Sequence, residues 1–299
     1  MAAMYMVNGV LTADKPTVTL GDFGFARGIT VFELFRVYGR TPFRMGPHLD
    51  RLERGCAVMG IELPFSRAEL EQQIATLMAQ HTYPHSAVKL YVTAGECGAP
   101  SGLSLAACTN FAPQLYILED AVTMKHPQAA YGMENHVRGQ NLKSVDAIRE
   151  LPEVKTANYG IGYVAAKRAG TAYDDVLFTT PQGFVTEATR SNFFAVINDK
   201  LVTAKSGMLE GITRGVILEL AAELGIATEV RDVTVAELAG ATEAFTSGSI
   251  AEMVPVRSLN DVVLPGGDDR TQTPVFRALR EAFTARVAQE CGDDHSKAA

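Results

Sequence analysis

Two consecutive β-hairpins are predicted between residues 175 and 205, which requires a fold with a substantial antiparallel sheet. Each hairpin pairs two apolar runs across a short polar turn, at residues 182–183 and at residues 198–199. The link between the hairpins carries two charged residues, Glu187 and Arg190, among small side chains. A carboxylate and a guanidinium held between two predicted strands indicate a candidate functional site.

The rest of the chain mixes helix and strand patterns, which predicts an α/β fold. Ser66 followed by Glu69 forms a capping-box signature at the start of one predicted helix. Thr273 and Pro274 are typical of the first positions of a closing helix. Helices are predicted at 47–61, 66–81, 158–170, within 209–226 and at 273–289, and further strands within 4–20, at 30–39, 87–95 and 112–120, and within 227–256.

The length of 299 residues indicates about two domains. A boundary is expected at the start of residues 124–150, because that segment is polar and less regular than its neighbours. The predicted first domain, residues 1–122, combines strands with two helices. Residues 123–299 form the predicted second domain.

Charge and composition argue against several partners. With a formal net charge of −7, the chain is not expected to bind nucleic acid or an anionic membrane, and no apolar run is long enough to span a bilayer. The four cysteines are widely spaced and the six histidines lack ligand spacing, so neither a disulfide framework nor a metal site is predicted. The N-terminus shows no secretory pattern, and we expect a cytoplasmic protein.

Lys155 and Glu187 are the first two candidate site residues. Lys155 lies between a valine and small residues, and partial desolvation would lower the pKa of its amine and make it a nucleophile. Glu187 could form a charge-assisted pair with the ring nitrogen of a pyridine cofactor. Taken singly, a solvated lysine at a strand edge and a solvated glutamate at a strand end are the commoner interpretations.

An anion site is the third candidate feature. Ile212 and Thr213 stand at the start of a predicted helix, where free N–H groups and a hydroxyl can bind a phosphate. Plain helix capping by Thr213 is the alternative. The loop at 246–252 adds Ser247 and Ser249, with an ordinary turn as the alternative. Arg51 could supply a positive charge or lie on a helix surface.

Together, these segments resemble the class IV (fold type IV) pyridoxal-phosphate aminotransferases over roughly residues 5–285. The matching segments, in order, are GFARGITVFELFRVYGRTPFRMGPHLDRL, KTANY, FVTEATRSNFFAVINDKLVTA, LEGITRGVILELAAELGI and EAFTSGSIAEMVPV. That family includes branched-chain amino acid aminotransferases, D-amino acid transaminases and aminodeoxychorismate lyases. The resemblance implies a small α/β sandwich domain followed by a larger pseudo-barrel domain. It also implies pyridoxal 5′-phosphate as cofactor, and a homodimer whose active sites borrow residues from the partner's first domain.

The resemblance implies a role for each matching residue. Lys155 matches the lysine that forms the Schiff base and carries the proton, Glu187 the partner of the ring nitrogen, and Tyr159 the partner of the phenolic oxygen. Phosphate binding is implied for Arg51, Ile212 (through its backbone N–H), Thr213 and Ser249. The loop that contains Ile250 resembles the branched-chain type, in which loop backbone groups bind the substrate carboxylate.

Arg27 and Arg190 depart from the branched-chain pattern. Both introduce a guanidinium near the expected substrate pocket, which favours binding of a substrate carboxylate. A group of D-amino acid transaminases is similar at these positions, so a D-amino acid substrate is slightly favoured over an L-branched-chain one. Pairing of either arginine with Glu33 or Asp22 is the structural alternative. An aminodeoxychorismate lyase and a binding module without cofactor are the remaining alternatives for function.

Overall fold

A computed structural model describes residues 3–98, 108, 110–122 and 138–292. It divides into two units. The first comprises Met1–Val122 together with Val154–Asn158, and the second comprises Thr123–Glu153 together with Tyr159–Ala299. Val154–Asn158, which contains Lys155, therefore belongs with the first unit, whereas the sequence analysis assigned it to the second domain.

The first unit is built on a six-stranded antiparallel sheet. Its elements are β1 Tyr5–Val7, β2 Val10–Thr12, α1 Phe23–Ala26, β3 Thr30–Tyr38, β4 Thr41–Pro42, α2 Met45–Met59, α3 Arg67–Met78, β5 His85–Cys97 and β6 Phe111–Ala121. The strand order is β2-β1-β6-β5-β3-β4. Alternation along β3 sends Val31 and Phe35 into a core that includes Leu49 and Leu52 of α2. The predicted capping box is confirmed, because Ser66 accepts from the Glu69 backbone and the Glu69 side chain accepts from Ser66.

The second unit contains the remaining elements. They are β7 Gln140–Asp146, α4 Gly160–Ala169, β8 Asp175–Thr179, β9 Phe184–Ala188, β10 Asn192–Ile197, β11 Lys200–Thr203, α5 Ile212–Glu223, β12 Thr228–Val230, β13 Val233–Thr234, a 3₁₀ turn at Glu237–Gly240, β14 Ala241–Gly248, β15 Glu252–Leu259, β16 Val262–Val263, α6 Pro265–Asp268, a 3₁₀ turn at Arg270–Gln272 and α7 Pro274–Cys291. Both predicted hairpins are confirmed. Asn198 and Asp199 adopt the left-handed φ angles of 50° and 59° that a two-residue hairpin turn favours.

Six strands of the second unit form a closed ring. The order β10-β14-β15-β7-β8-β9 is closed by pairing of β9 with β10, which makes this part of the sheet barrel-like. Apolar side chains fill one face of the ring, including Leu177, Phe193 and Val256. The helices α5 and α7 pack on β14 and on each other.

The strand β7 corrects the expectation that residues 124–150 are less regular than their neighbours; residues 124–137 of that segment lie outside the described residues. It pairs in parallel with both β15 and β8. Gln140 is buried and accepts from the Thr246 hydroxyl at 2.8 Å. The sequence lacks apolar alternation here because buried polar side chains of this strand find hydrogen-bond partners across the sheet.

The start of α7 corrects a second expectation. Thr273 occupies the N-cap position, but its side chain makes no capping hydrogen bond. The Glu243 carboxylate of β14 accepts instead from the backbone N–H groups of Val275 and Phe276, at 3.1 and 2.8 Å. A buried carboxylate distant in sequence thus satisfies the free donors of the first helical turn.

Candidate active site

Lys155 lies in a short segment beside β3. The Phe32 backbone N–H donates to the Lys155 carbonyl oxygen at 2.9 Å, and Val31 forms an antiparallel bridge with Thr156. The Lys155 side chain is half-buried, and its Nζ lies 4.5 Å from the centroid of the Phe32 ring. The amine is therefore placed against an aromatic ring by backbone pairing rather than by a loop that is free to move.

Arg51 is buried in the first unit and is not the helix-surface residue of the alternative interpretation. Its Nε and Nη2 atoms donate to the Glu33 carboxylate at 2.7 and 3.0 Å. His48 Nδ1 lies 2.7 Å from the same carboxylate. Burial raises the pKa of Glu33, but the charge of Arg51 and the hydrogen bonds from His48 and Arg51 outweigh it and lower the pKa to about 2.

Electrostatics connect this buried cluster with Lys155. Burial lowers the pKa of His48, the bond to Glu33 opposes that effect, and the charges of Arg51 and Lys155 lower the pKa further. The 2.7 Å contact of His48 with the Glu33 carboxylate assigns a ring proton to Nδ1, which donates to Glu33. Arg51 and Lys155, two predicted site residues, thus lie in one electrostatic environment of the first unit.

Arg27 is exposed at the end of α1. Its Nη1 donates to the Ala26 carbonyl at 2.9 Å, and among the described residues it forms no ion pair. Asp22 accepts from the Gly24 backbone and the Thr93 hydroxyl, both at 2.7 Å, and Glu33 is bound to Arg51. The structural pairing proposed for Arg27 with either carboxylate is therefore wrong.

Gly28 connects Arg27 with the Lys155 segment. Its φ is +73°, and a Cβ there would lie 2.7 Å from Asn158 Oδ1. Only glycine allows both this left-handed conformation and this close approach. The chain after Arg27 consequently runs beside Val154–Asn158, and the Ala157 N–H donates to the Thr30 carbonyl at 3.2 Å.

Glu187 is buried on β9 of the second unit, rather than being a solvated strand end. Arg149 Nη1 donates to its carboxylate at 3.0 Å. Arg149 was not predicted as a site residue. A buried carboxylate needs a cationic partner, and this need was the only available signal for such a residue. The spacing of the sequence does not indicate that the partner is Arg149, 38 positions before Glu187.

Asn192 and Ser247 lie beside Glu187 on neighbouring strands and lead to the start of α5. Asn192 of β10 is the cross-strand partner of both Glu187 and Ser247, so the three side chains share one face. Asn192 Nδ2 donates to the Leu209 carbonyl at 2.7 Å, and a Cβ at Gly211 would lie 2.0 Å from Asn192 Oδ1. This contact fixes the start of α5 next to the face that carries Glu187.

The first residues of α5 are the predicted Ile212 and Thr213. Gly211 is the N-cap residue and α5 begins at Ile212, so helix capping by the Thr213 side chain is not observed. Thr213 is buried and Ile212 is half-buried. Their backbone N–H groups belong to the first turn, where four donors lack partners within the helix.

Three other predicted residues also lie in the second unit. Arg190 is exposed. Burial raises the pKa of Asp175 overall, and the charge of Arg190 opposes part of that rise. Ser249 and Ile250 are half-buried in the loop between β14 and β15. A Cβ at Gly248 would lie 3.6 Å from the Arg190 carbonyl, so this loop borders the Arg190 backbone.

Tyr159, the last predicted residue, is the N-cap residue of α4 and is 36% exposed. Its side chain makes no capping hydrogen bond.

Among the described residues, buried hydroxyls without hydrogen-bond partners lie next to Lys155 and near Glu187. Thr156 Oγ1, next to Lys155, is buried without a hydrogen bond among the described residues, and so are Ser191 Oγ and Ser247 Oγ near Glu187. Buried hydroxyls normally have partners. Within the second unit, a buried carboxylate and unpaired hydroxyls suit a ligand that has a basic ring nitrogen and a phosphate.

Metal-ligand clusters and membrane-spanning helices are both missing from the described residues. These residues contain no group of three or more histidine, cysteine, aspartate or glutamate side chains that could hold a metal ion. None of the helices in the described part of the chain is long and apolar enough to cross a membrane.

Comparison with known families decides the assignment. The family model for amino-transferase class IV matches residues 30–259, which contain all the predicted site residues except Arg27. The chain belongs to the class IV aminotransferase family. The predicted family is confirmed, and with it the assignment of the chain as an enzyme of the aminotransferase type.

The sequence relatives of this class IV aminotransferase cover nearly its whole length. A protein of Listeria monocytogenes serotype 4b (strain F2365) named D-alanine aminotransferase is 27% identical over 292 residues, 96% of each chain. A protein of Methanocaldococcus jannaschii named putative branched-chain-amino-acid aminotransferase is 28% identical over 281 residues, 93% of this chain and 94% of the relative.

Solved structures show the same fold. The branched-chain amino acid aminotransferase of Escherichia coli has a TM-score of 0.84 at 23% identity, covering 97% of this chain and 96% of its own. The branched-chain amino acid aminotransferase of T.th. with pyridoxamine 5′-phosphate has a TM-score of 0.81 at 23% identity, covering 98% of this chain and 97% of its own. The predicted fold type IV architecture is confirmed.

Proposed function

We propose that this class IV aminotransferase uses pyridoxal 5′-phosphate to move an amino group between a D-amino acid and a 2-oxo acid. When bound, the cofactor supplies an aldehyde for the amine and a ring that withdraws electrons from the substrate. Lys155 is the amine that holds the cofactor and carries the proton at its Nζ. Support comes from its half-buried position against the Phe32 ring and from the family match.

Glu187 keeps a proton on the ring nitrogen in this proposal. Its carboxylate is buried and bound to Arg149, so its position is fixed before any ligand binds. We assign the phosphate to Ile212, Thr213, Ser249 and Arg51, and the phenolic oxygen to Tyr159. The half-buried loop residue Ile250 contributes to binding of the substrate.

The preference for a D-amino acid rests on Arg27. Its guanidinium is exposed and has no carboxylate partner among the described residues, and Arg27 directly precedes the segment that runs beside Val154–Asn158. A planar guanidinium can bind the substrate carboxylate through two parallel hydrogen bonds. Several relatives are named D-alanine aminotransferase, including one from Bacillus licheniformis that is 29% identical. We assign Arg190 the same role, which its exposed position allows.

An L-branched-chain amino acid is the second candidate substrate. The relative from Methanocaldococcus jannaschii carries that name, and the loop with Ile250 resembles the branched-chain type. Elimination of pyruvate from aminodeoxychorismate is the third candidate, and it would release pyruvate without a 2-oxo acid acceptor. The family match supports an enzyme rather than a binding module that has lost its cofactor.

We also propose a homodimer, located in the cytoplasm. The helix α4 exposes Ile161, Tyr163 and Val164, and this apolar surface would suit a contact between two copies.

The arginines provide the test of substrate choice. The measurement is kcat/KM for D-alanine, D-glutamate, L-leucine and L-glutamate in wild type, Arg27→Gln and Arg190→Gln. Loss of a charge-assisted pair should lower kcat/KM by roughly ten- to hundred-fold, more for the D-substrates. Arg27→Lys should not restore it fully, because lysine lacks the planar fork.

The matched control is Arg231→Gln, which removes a surface arginine paired with Glu229 and Glu237 and should leave kcat/KM unchanged. A wild type that prefers L-leucine, with both site variants near wild type, would assign this chain to the branched-chain class and leave the arginines as structural.

A further inference from the structure

We propose that the Ser247 hydroxyl is an additional donor to the phosphate group of the ligand that binds at the start of α5. This inference rests on the proposed function and adds a residue to its phosphate site. Ser247 is 2% exposed, and its Oγ has no hydrogen-bond partner among the described residues. A buried hydroxyl without a partner loses its hydrogen bonds to water and gains nothing in return.

The direction of the Ser247 side chain follows from alternation along β14. Glu243 and Phe245 precede it at intervals of two and therefore share its face. Glu243 accepts from the first turn of α7, and Phe245 stacks on Phe194 with ring centroids 4.9 Å apart. The Ser247 hydroxyl thus lies on the face of the sheet that α5 and α7 cover.

The start of α5 lies next to this hydroxyl. Asn192 is the cross-strand partner of Ser247, and its side chain bonds to the Leu209 carbonyl and touches Gly211, the N-cap of α5. The twelve residues of α5 give it a full set of free N–H donors and a positive end. A buried hydroxyl and a helix N-terminus therefore meet on one face.

A phosphate monoester suits these groups because its oxygens accept several hydrogen bonds and carry negative charge. Backbone N–H groups of α5 would donate to some of its oxygens, and the Ser247 O–H would donate to another. Glu187 lies on the same face, one strand beyond Asn192. Its own negative charge is balanced by Arg149, so the face does not repel an anion through an unpaired carboxylate.

The test compares ligand binding with stability in Ser247→Ala. The protein freed of cofactor is titrated with pyridoxal 5′-phosphate and, separately, with pyridoxal, and binding is followed by absorbance. Affinity for pyridoxal 5′-phosphate should fall roughly ten- to hundred-fold, the range for one hydrogen bond to a charged group. Affinity for pyridoxal, which lacks the phosphate, should stay at the wild-type value.

Thermal unfolding without ligand supplies the second readout. Ser247→Ala should keep or raise the Tm, since it deletes a hydroxyl that makes no hydrogen bond. Ser258→Ala is the matched control. Its buried hydroxyl donates to Asn141 Oδ1 at 2.7 Å, so that variant should lower the Tm and leave the affinity for pyridoxal 5′-phosphate unchanged.

Each outcome separates this inference from the proposed function. Wild-type protein that binds neither compound would overturn both. Wild-type binding combined with unchanged affinity in Ser247→Ala, as expected if water alone satisfies the hydroxyl, would overturn the Ser247 assignment only. If the alanine variant does not fold, Ser247→Cys replaces the hydroxyl by a weaker donor of similar size, and unchanged affinity there would overturn the assignment equally.

Discussion

Replacement of Glu33 by glutamine should destabilise the first unit more than the same replacement of an exposed glutamate. Glu33 is fully buried and is bound by Arg51 at 2.7 Å and by His48 at 2.7 Å. Glutamine keeps the shape but removes the negative charge, which leaves the buried guanidinium of Arg51 without its carboxylate. Loss of one partner from a buried ion pair costs about 3–5 kcal/mol of unfolding free energy.

The pKa of Glu33 gives an independent magnitude. The difference between its ordinary value of 4.5 and the folded value of about 2 corresponds to about 3 kcal/mol. Because the folded pKa is the lower one, this stabilisation is complete above pH 4.5 and is lost as the pH falls through 2. Wild type should lose this contribution on acidification, whereas Glu33→Gln has none to lose.

Urea unfolding at pH 7 and pH 3 measures both effects. Hydrogen exchange of the β3 and β5 peptides, read by mass spectrometry, follows the first unit by itself. The gap between wild type and Glu33→Gln should be several kcal/mol at pH 7 and clearly smaller at pH 3. Adding Arg51→Met to Glu33→Gln should recover part of the loss, because the uncompensated charge is then gone.

The control variant is Glu53→Gln, which removes a surface carboxylate paired with Arg67 and should cost below about 1 kcal/mol. A Glu33→Gln variant that loses no more than this control at pH 7, or that keeps the same gap at both pH values, would refute the electrostatic reasoning.

Two further variants test other buried carboxylates. Glu187→Gln should slow the chemical step by roughly 10²–10³-fold and change cofactor affinity much less, because the phosphate contacts remain; equal single-turnover rates in variant and wild type would contradict the role of Glu187. Glu243→Ala should destabilise the second unit by about 1–3 kcal/mol and speed hydrogen exchange at the Val275 and Phe276 amides. Exchange of these amides at the wild-type rate would show that Glu243 does not hold the start of α7.

Local sequence signals were sufficient for most elements. Turn residues and periodicity predicted the hairpins and helices, because those structures depend on neighbouring residues. The strand β7 was missed because Gln140 and Ser144 are satisfied by Thr246 and Asn260, 106 and 116 positions away. The helix cap supplied by Glu243 was missed for the same reason, since its donors lie 32 and 33 residues later.

The site shows the same limit. Motif order predicted Lys155, Glu187 and the start of α5 as site residues, since each motif is local. Arg149 and the buried cluster of Glu33, His48 and Arg51 depend on side chains that come together only in the folded chain. Burial of these charges, and hence their pKa shifts, cannot be read from spacing.

The most direct measurement is amino-group transfer by the purified, cofactor-loaded protein. D-alanine, D-glutamate, L-leucine and L-glutamate are each offered with a 2-oxo acid, to wild type and to Lys155→Ala of intact fold. We predict transfer by wild type, fastest with a D-substrate, and complete loss in Lys155→Ala, because the variant lacks the amine proposed to hold the cofactor and carry the proton. A wild type that transfers no amino group from any of the four, or a Lys155→Ala variant with near-wild-type turnover, would contradict the proposed function.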